Sequence, residues 1–234
     1  MMSGARGGEN QNSNAGAGAV SELCASLING LPLTSGDKQK FGELNALRNE
    51  AALRGEPVLR EQSFNELMRV ISVKRPQKIL EVGSNEGLTS AAMLISLSGA
   101  RLTAIEIDED KVMRARKNLE RFGVIGRARI LCADAKDVLS AITGGYDFIF
   151  LDGPKGQYYG YLPDLLRLLK RGGTLFADNV LFRGYVTGAV KTPHRFITAK
   201  NSLKNFLSVL TESEGLKTRV LDFEDGVSIT EKLY

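Results

Sequence analysis

Apolar positions recur along this chain with two different periods. Between Val20 and Arg54 they fall three and four residues apart. Val20, Leu23, Leu27 and Ile28 form one stripe and Phe41, Leu44, Leu47 and Ala51 a second, which predicts helices. Pro57 interrupts the pattern, and Phe64, Leu67, Met68 and Ile71 restore it over Ser63–Val73. After Pro76, short continuous apolar runs alternate with helical stripes. The runs predict strands at Lys78–Val82, Arg101–Ile107, Ala128–Cys132, Tyr146–Leu151 and Thr174–Ala177. The stripes predict helices over Leu88–Leu97, Glu109–Phe122, Lys136–Ile142, Tyr159–Leu169 and Arg195–Thr211. Thr218–Phe223, a Glu224-Asp225-Gly226 turn and Val227–Glu231 read as a closing hairpin. Strand–helix alternation requires a parallel sheet with right-handed crossovers, and the hairpin reverses one strand. The predicted fold class is therefore α/β: a doubly wound, Rossmann-like, mostly parallel sheet of seven strands with one antiparallel strand and N-terminal helices.

The length of 234 residues suits one domain with a substantial core. Residues 1–19 are rich in Gly, Asn, Ser and Ala and cannot bury enough surface to offset their ordering entropy. They predict a disordered tail, followed by a single domain over residues 20–234 whose first part, 20–75, is a helical extension. No apolar run approaches the roughly 20 residues of a membrane span. The N-terminus has no secretory apolar core, and Cys24 and Cys132 are too isolated for a disulfide framework. A cytoplasmic protein without membrane contact is expected. The net charge of +4 is modest, but its distribution is uneven. From Asn179 to Thr211 there is no Asp or Glu, while Arg183, Lys191, Arg195, Lys200 and Lys204 fall there. Such a surface would attract a polyanion, with Arg183, Lys191 and Arg195 as candidate contacts.

Candidate chemistry collects at the strand ends, where ligands of open parallel sheets bind. Asp152 ends one predicted strand, and Asp178 with Asn179 ends the next. Three oxygen donors of this kind suit a hard divalent cation such as Mg²⁺. Upstream, Glu81 and Gly83 stand where the first strand enters a glycine-bearing turn, with Thr89 in the helix beyond. Glu81-x-Gly83-x-x-x-Gly87 is not the dinucleotide fingerprint, so a cofactor lacking a pyrophosphate is expected. Glu106 ends the second strand, placed to accept from ribose hydroxyls, and Asp134 ends the third, near a base edge. S-adenosylmethionine meets those requirements.

From about Glu43 to Lys232 the chain resembles the metal-dependent class I O-methyltransferases related to catechol and caffeoyl-CoA methyltransferases. Leu80-Glu81-Val82-Gly83, Ile105-Glu106-Ile107, Leu151-Asp152-x-x-Lys155 and Asp178-Asn179 carry the resemblance. Lys155-Gly156-Gln157-Tyr158 and Asn179-Val180-Leu181-Phe182-Arg183-Gly184 make it most similar to the bacterial tRNA 5-hydroxyuridine methyltransferases within that family. Gly153-Pro154 departs from the small or aromatic residues seen elsewhere between Asp152 and Lys155. The resemblance implies the class I methyltransferase fold, a homodimer, and Mg²⁺ or a similar cation on Asp152, Asp178 and Asn179. It implies that Leu59, Glu81, Gly83, Thr89, Glu106, Asp134 and Ala135 line the cofactor pocket, with Asp152 near the methyl donor. Lys155 matches the general base proposed for the family. The implied substrate is 5-hydroxyuridine in a tRNA anticodon loop at the wobble position, methylated to 5-methoxyuridine; small catechol-like or acyl-CoA phenolics are the alternative. In either case two vicinal oxygens can share one cation.

Overall fold

The computed structural model describes residues 33–234. The predicted tail at 1–19 and the stripe from Val20 to Ile28 lie outside the described residues. Two helices come first, α1 (Ser35–Leu53) and α2 (Glu61–Lys74). Thr34 caps α1 reciprocally: its hydroxyl accepts from Asp37 N at 3.1 Å, and the Asp37 carboxylate answers Thr34. The remaining order is β1 (Lys78–Val82), α3 (Leu88–Ser96), β2 (Arg101–Glu106), α4 (Glu109–Arg121), β3 (Ala128–Cys132) and α5 (Ala135–Leu139), then β4 (Tyr146–Leu151), α6 (Tyr158–Leu168), β5 (Leu169–Asp178), α7 (Ile197–Glu212), β6 (Leu216–Leu221) and β7 (Val227–Lys232).

The strands form one sheet in the order β3-β2-β1-β4-β5-β7-β6. Neighbours are parallel except at β7, which runs against both β5 and β6. This is the expected Rossmann-like methyltransferase architecture. The strand order reverses between β1 and β4, and such a switch point opens a crevice at the strand ends.

Each face of the sheet carries its own core, and alternation along the strands assigns the side chains. Ile79, Phe148, Phe150 and Phe176 join the core under α1, α2, α3 and α4. Leu80, Ile149, Leu151, Leu175 and Ala177 join the other, under α5, α6 and α7. α3 is almost wholly buried, which accounts for its apolar composition.

Most predicted elements agree with the structure to within two residues. The exceptions are α5, which ends at Leu139 and not Ile142, and β5, which begins at Leu169 and not Thr174. Tyr146 pairs with Leu169 and Phe148 with Thr174, so Lys170–Gly173 loop out as an irregularity inside the strand. Gly172 and Gly173 therefore mark a bulge within the strand where the sequence suggested a turn before it.

Candidate active site

A cleft of about 720 Å³ opens at the carboxyl ends of the central strands. β1 delivers Gly83, β2 Glu106, β3 Asp134 and Ala135, β4 Asp152, and β5 Asp178 and Asn179, all of them on its walls. Lys155 also lines it, from the turn after β4. Leu59 and Thr89 lie in a small adjoining recess that shares Gly83, Asn85 and Asp152 with the cleft.

The glycine turn after β1 is shaped by its neighbours. Gly83 has φ +88°, and a Cβ there would stand 2.3 Å from the Asp152 carbonyl oxygen. Its missing side chain thus makes room for the end of β4 and brings the turn after β1 against Asp152. Gly87, at φ +71°, is similarly crowded by Ala115 of α4. Glu106 is fixed by backbone donors: Asn85 N at 2.8 Å on one oxygen, Ile107 N at 2.9 Å and Asp108 N at 3.1 Å on the other. Asp134 caps α5 by accepting from Lys136 N at 2.8 Å.

Glu81 takes a different place from the one expected. Alternation puts it on the same face as Ile79, fully buried beneath the turn, where the Ser90 hydroxyl of α3 donates to it. Burial pushes its carboxyl up to about 8, against the bond from Ser90. It does not line the cleft. One Glu81 oxygen, the Ser84 hydroxyl and the Asn85 side-chain oxygen are buried without a hydrogen-bond partner. The orphaned oxygens of Ser84 and Asn85, which line the adjoining recess, suit a ligand that brings donors, as the amine of a methionine does.

At the other end of the cleft, Asp178 is 2% exposed. Burial first, and the neighbouring Asp152 charge second, push its carboxyl up to about 7. Lys155 Nζ donates to Asp152 Oδ1 at 2.8 Å and to the Tyr158 hydroxyl at 3.1 Å. Burial opposes a charge on Lys155, but Tyr158 and Asp152 outweigh it and hold the ammonium above its usual range. Tyr158 is entirely buried, and its hydroxyl lies 3.0 Å from the Asp178 carbonyl and 3.2 Å from that of Leu151. It is a strut between the two strand ends. Among the described residues no group of three or more His, Cys, Asp or Glu forms a metal cluster. The candidate donor set is two carboxylates and the Asn179 amide. Asn179 itself sits at φ +57°. Two neighbouring carboxylates beside an amide oxygen fit a hard divalent cation.

The basic candidates separate. Arg183 lines the cleft, with its guanidinium 5.9 Å over the Phe196 ring. Lys191 is on the exposed loop beyond, and the Arg195 guanidinium lies 4.7 Å over Phe196; neither lines the cleft. Among the wall residues that the sequence did not single out as site candidates are Asn85, Phe182, Asp225 and Arg60. Asp225 accepts from Arg60 Nη2 at 2.8 Å and from Arg183 N at 3.2 Å, across sequence gaps that no local pattern reveals. Lys111, which reads as part of a solvated helix face, also reaches the wall. No described helix is long and apolar enough to cross a membrane.

Comparisons with known proteins bear on the fold and the family. A family profile described as O-methyltransferase matches residues 41–233. The Tapetum-specific methyltransferase 1 of Arabidopsis thaliana is 25% identical over 201 residues, covering 83% of this chain and 82% of the relative. A catechol O-methyltransferase of Niastella koreensis is 30% identical over 152 residues, 61% of this chain and 68% of the relative. Among solved structures, an O-methyltransferase from Bacillus cereus in complex with SAH superposes with a TM-score of 0.72 at 21% identity, covering 90% of this chain and 97% of that one. With most of its described length matched, the chain belongs to the O-methyltransferase family.

Proposed function

We propose that the cleft binds S-adenosylmethionine at its β1–β3 end and an oxygen acceptor, with a divalent cation, at its β4–β5 end. The chain is an S-adenosylmethionine-dependent O-methyltransferase. The observation that carries the reading is the junction at Gly83, where the cofactor turn abuts Asp152 without an intervening side chain. Donor and acceptor sites so close satisfy the demand of an in-line transfer for near contact.

The carboxylate of Glu106 has acceptor capacity left for ribose hydroxyls, and Asp134 and Ala135 stand where a base would lie. Asp152, Asp178 and Asn179 would hold the cation, which when bound lowers the proton affinity of an acceptor hydroxyl. Lys155 donates to Asp152 at the acceptor end of the cleft, where a charged ammonium would stabilise the developing oxyanion and a neutral amine would take the hydroxyl proton. Tyr158 fixes Lys155 and both strand ends in register. A bound S-adenosylmethionine would supply a sulfonium methyl group; the acceptor oxygen, its proton released to solvent, would bond to that carbon as the carbon–sulfur bond breaks and the thioether leaves.

The finer reading is methylation of 5-hydroxyuridine in a tRNA anticodon loop. Arg183 on the wall, in a 33-residue stretch from Asn179 to Thr211 without an acid, supports it. The catechol methyltransferase among the relatives supports the alternative of a small vicinal phenol. The purified chain, labelled S-adenosylmethionine and Mg²⁺ offered undermodified tRNA and catechol in parallel separates them. Label entering 5-methoxyuridine supports the tRNA reading, and label entering only catechol replaces it. Asp152→Ala and Asp178→Ala should each abolish transfer to the acceptor. Full transfer by either, or in metal-free buffer, would overturn the cation reading.

A further inference from the structure

The start of α2 meets the turn between β6 and β7 directly beside Asp178. Arg60, the residue preceding α2, gives the helix no side-chain cap. Glu224 does so from the turn, held at φ +52°. Its two oxygens accept from Gln62 N at 3.0 Å and from Ser63 N at 3.1 Å. The Ser63 hydroxyl then lies 2.9 Å from Asp178 Oδ1 and 2.9 Å from Glu224 Oε2. Ser63 is 1% exposed, so water cannot substitute for either partner. A continuous chain runs from a helix N-terminus through Glu224 and Ser63 to a strand end of the cleft.

We propose that Ser63, backed by Glu224, is a positioning residue that orients Asp178 and thereby sets the affinity of the site for a divalent cation. The inference rests on reading Asp152, Asp178 and Asn179 as the cation ligands. A hydroxyl carries one proton and can satisfy only one carboxylate at a time. Glu224 already receives two backbone N–H bonds and the favourable field of the α2 N-terminus, which leaves the Ser63 proton to Asp178. That bond occupies Oδ1 and fixes the carboxylate plane. Asp178 lines the cleft, and with Oδ1 engaged its Oδ2 is left for a cation. Ligating carboxylates elsewhere are held in this way, and removing the partner costs affinity.

The test titrates Mn²⁺ into the full-length chain without substrate, following the free ion by electron paramagnetic resonance. Ser63→Ala should weaken Mn²⁺ binding roughly 10-fold or more, and Ser63→Thr, which keeps the hydroxyl, should restore it. Glu224→Ala leaves Ser63 in place and should weaken binding less than Ser63→Ala. Thermal unfolding of each variant in metal-free buffer separates positioning from packing. A Ser63→Ala variant that binds Mn²⁺ like the parent chain overturns the inference, as does a loss that tracks only reduced thermal stability. A parent chain that takes up no Mn²⁺, with Asp178→Asn no different, would instead sink the cation reading beneath it.

Discussion

At Gly83 the backbone of another strand leaves no room for a side chain. The glycine's φ of +88° disfavours an L residue, and a Cβ would meet the Asp152 carbonyl oxygen at 2.3 Å and its carbonyl carbon at 2.9 Å. Both are backbone atoms, and Asp152 N is itself bonded to Val82 O at 2.9 Å, so no rotamer change relieves the clash. The left-handed backbone costs Gly83→Ala roughly 1–2 kcal/mol. Displacing the end of β4 adds the cost of overpacking, roughly 1–3 kcal/mol. Gly123 supplies an internal control: φ is +69°, yet an added Cβ meets nothing within 4 Å. Gly123→Ala should therefore show the conformational cost alone, about 1–2 kcal/mol. Urea unfolding followed by far-ultraviolet circular dichroism measures both. The Gly83 variant should lose about 1–3 kcal/mol more than the Gly123 variant, and its affinity for S-adenosylhomocysteine should fall because Asp152 moves. Equal destabilisation of the two would refute the clash, and with it the argument that this glycine joins the two halves of the cleft.

Three further outcomes are expected. Glu81 has its carboxyl raised to about 8, so the folded chain keeps a proton that the unfolded chain releases near 4.5. Its contribution to stability is complete below the unfolded value and declines as pH rises toward 8, by about 1.4 kcal/mol per pH unit. Glu81→Gln should flatten that decline in ligand-free urea titrations, and identical slopes for parent and variant would count against it. Tyr158→Phe removes a buried hydroxyl that Lys155 Nζ reaches at 3.1 Å, and should cost about 1–3 kcal/mol in the same assay; no measurable loss would deny its role as a strut. Lys191→Ala with Arg195→Ala should weaken tRNA binding and lower the slope of log affinity against log salt by about two. An unchanged slope would place the phosphate contacts elsewhere.

What the sequence made legible follows from how far apart the deciding residues lie. Strand ends are local: an apolar run stopping at Asp152 or at Asp178-Asn179 displays both the strand and its ligand in a few residues, and all three reach one cleft. Glu106, Asp134 and Ala135 were visible for the same reason. Glu81 was visible as a strand-end acid, but its destination was not. Counting by twos from Ile79 would have put it on the α3 side, facing Ser90. The reading of Gly83 as an approach for cofactor was incomplete in the same way, because the atom that needs the space belongs to Asp152, 69 residues later in the register of a different strand.

The least legible parts are those that make the ends into one site. Ser63 touches Asp178 across 115 residues and Glu224 across 161, and Arg60 meets Asp225 across 165. None of these pairs has a spacing that any helical or strand period would flag. In the sequence, Ser63 is one polar residue at the start of an amphipathic helix, and Glu224-Asp225-Gly226 is an ordinary turn. Antiparallel β7 changes that. By returning between β5 and β6 it brings the hairpin turn to the same edge as the end of β5, beside the start of α2. The reversed strand thus does more than complete the sheet. It carries the two carboxylates that cap α2, anchor Arg60 and the Arg183 backbone, and hold Ser63 against Asp178. The donor half of the site can be read from three consecutive strand–turn units. The acceptor half needs the hairpin, and so becomes visible only once the chain has closed on itself.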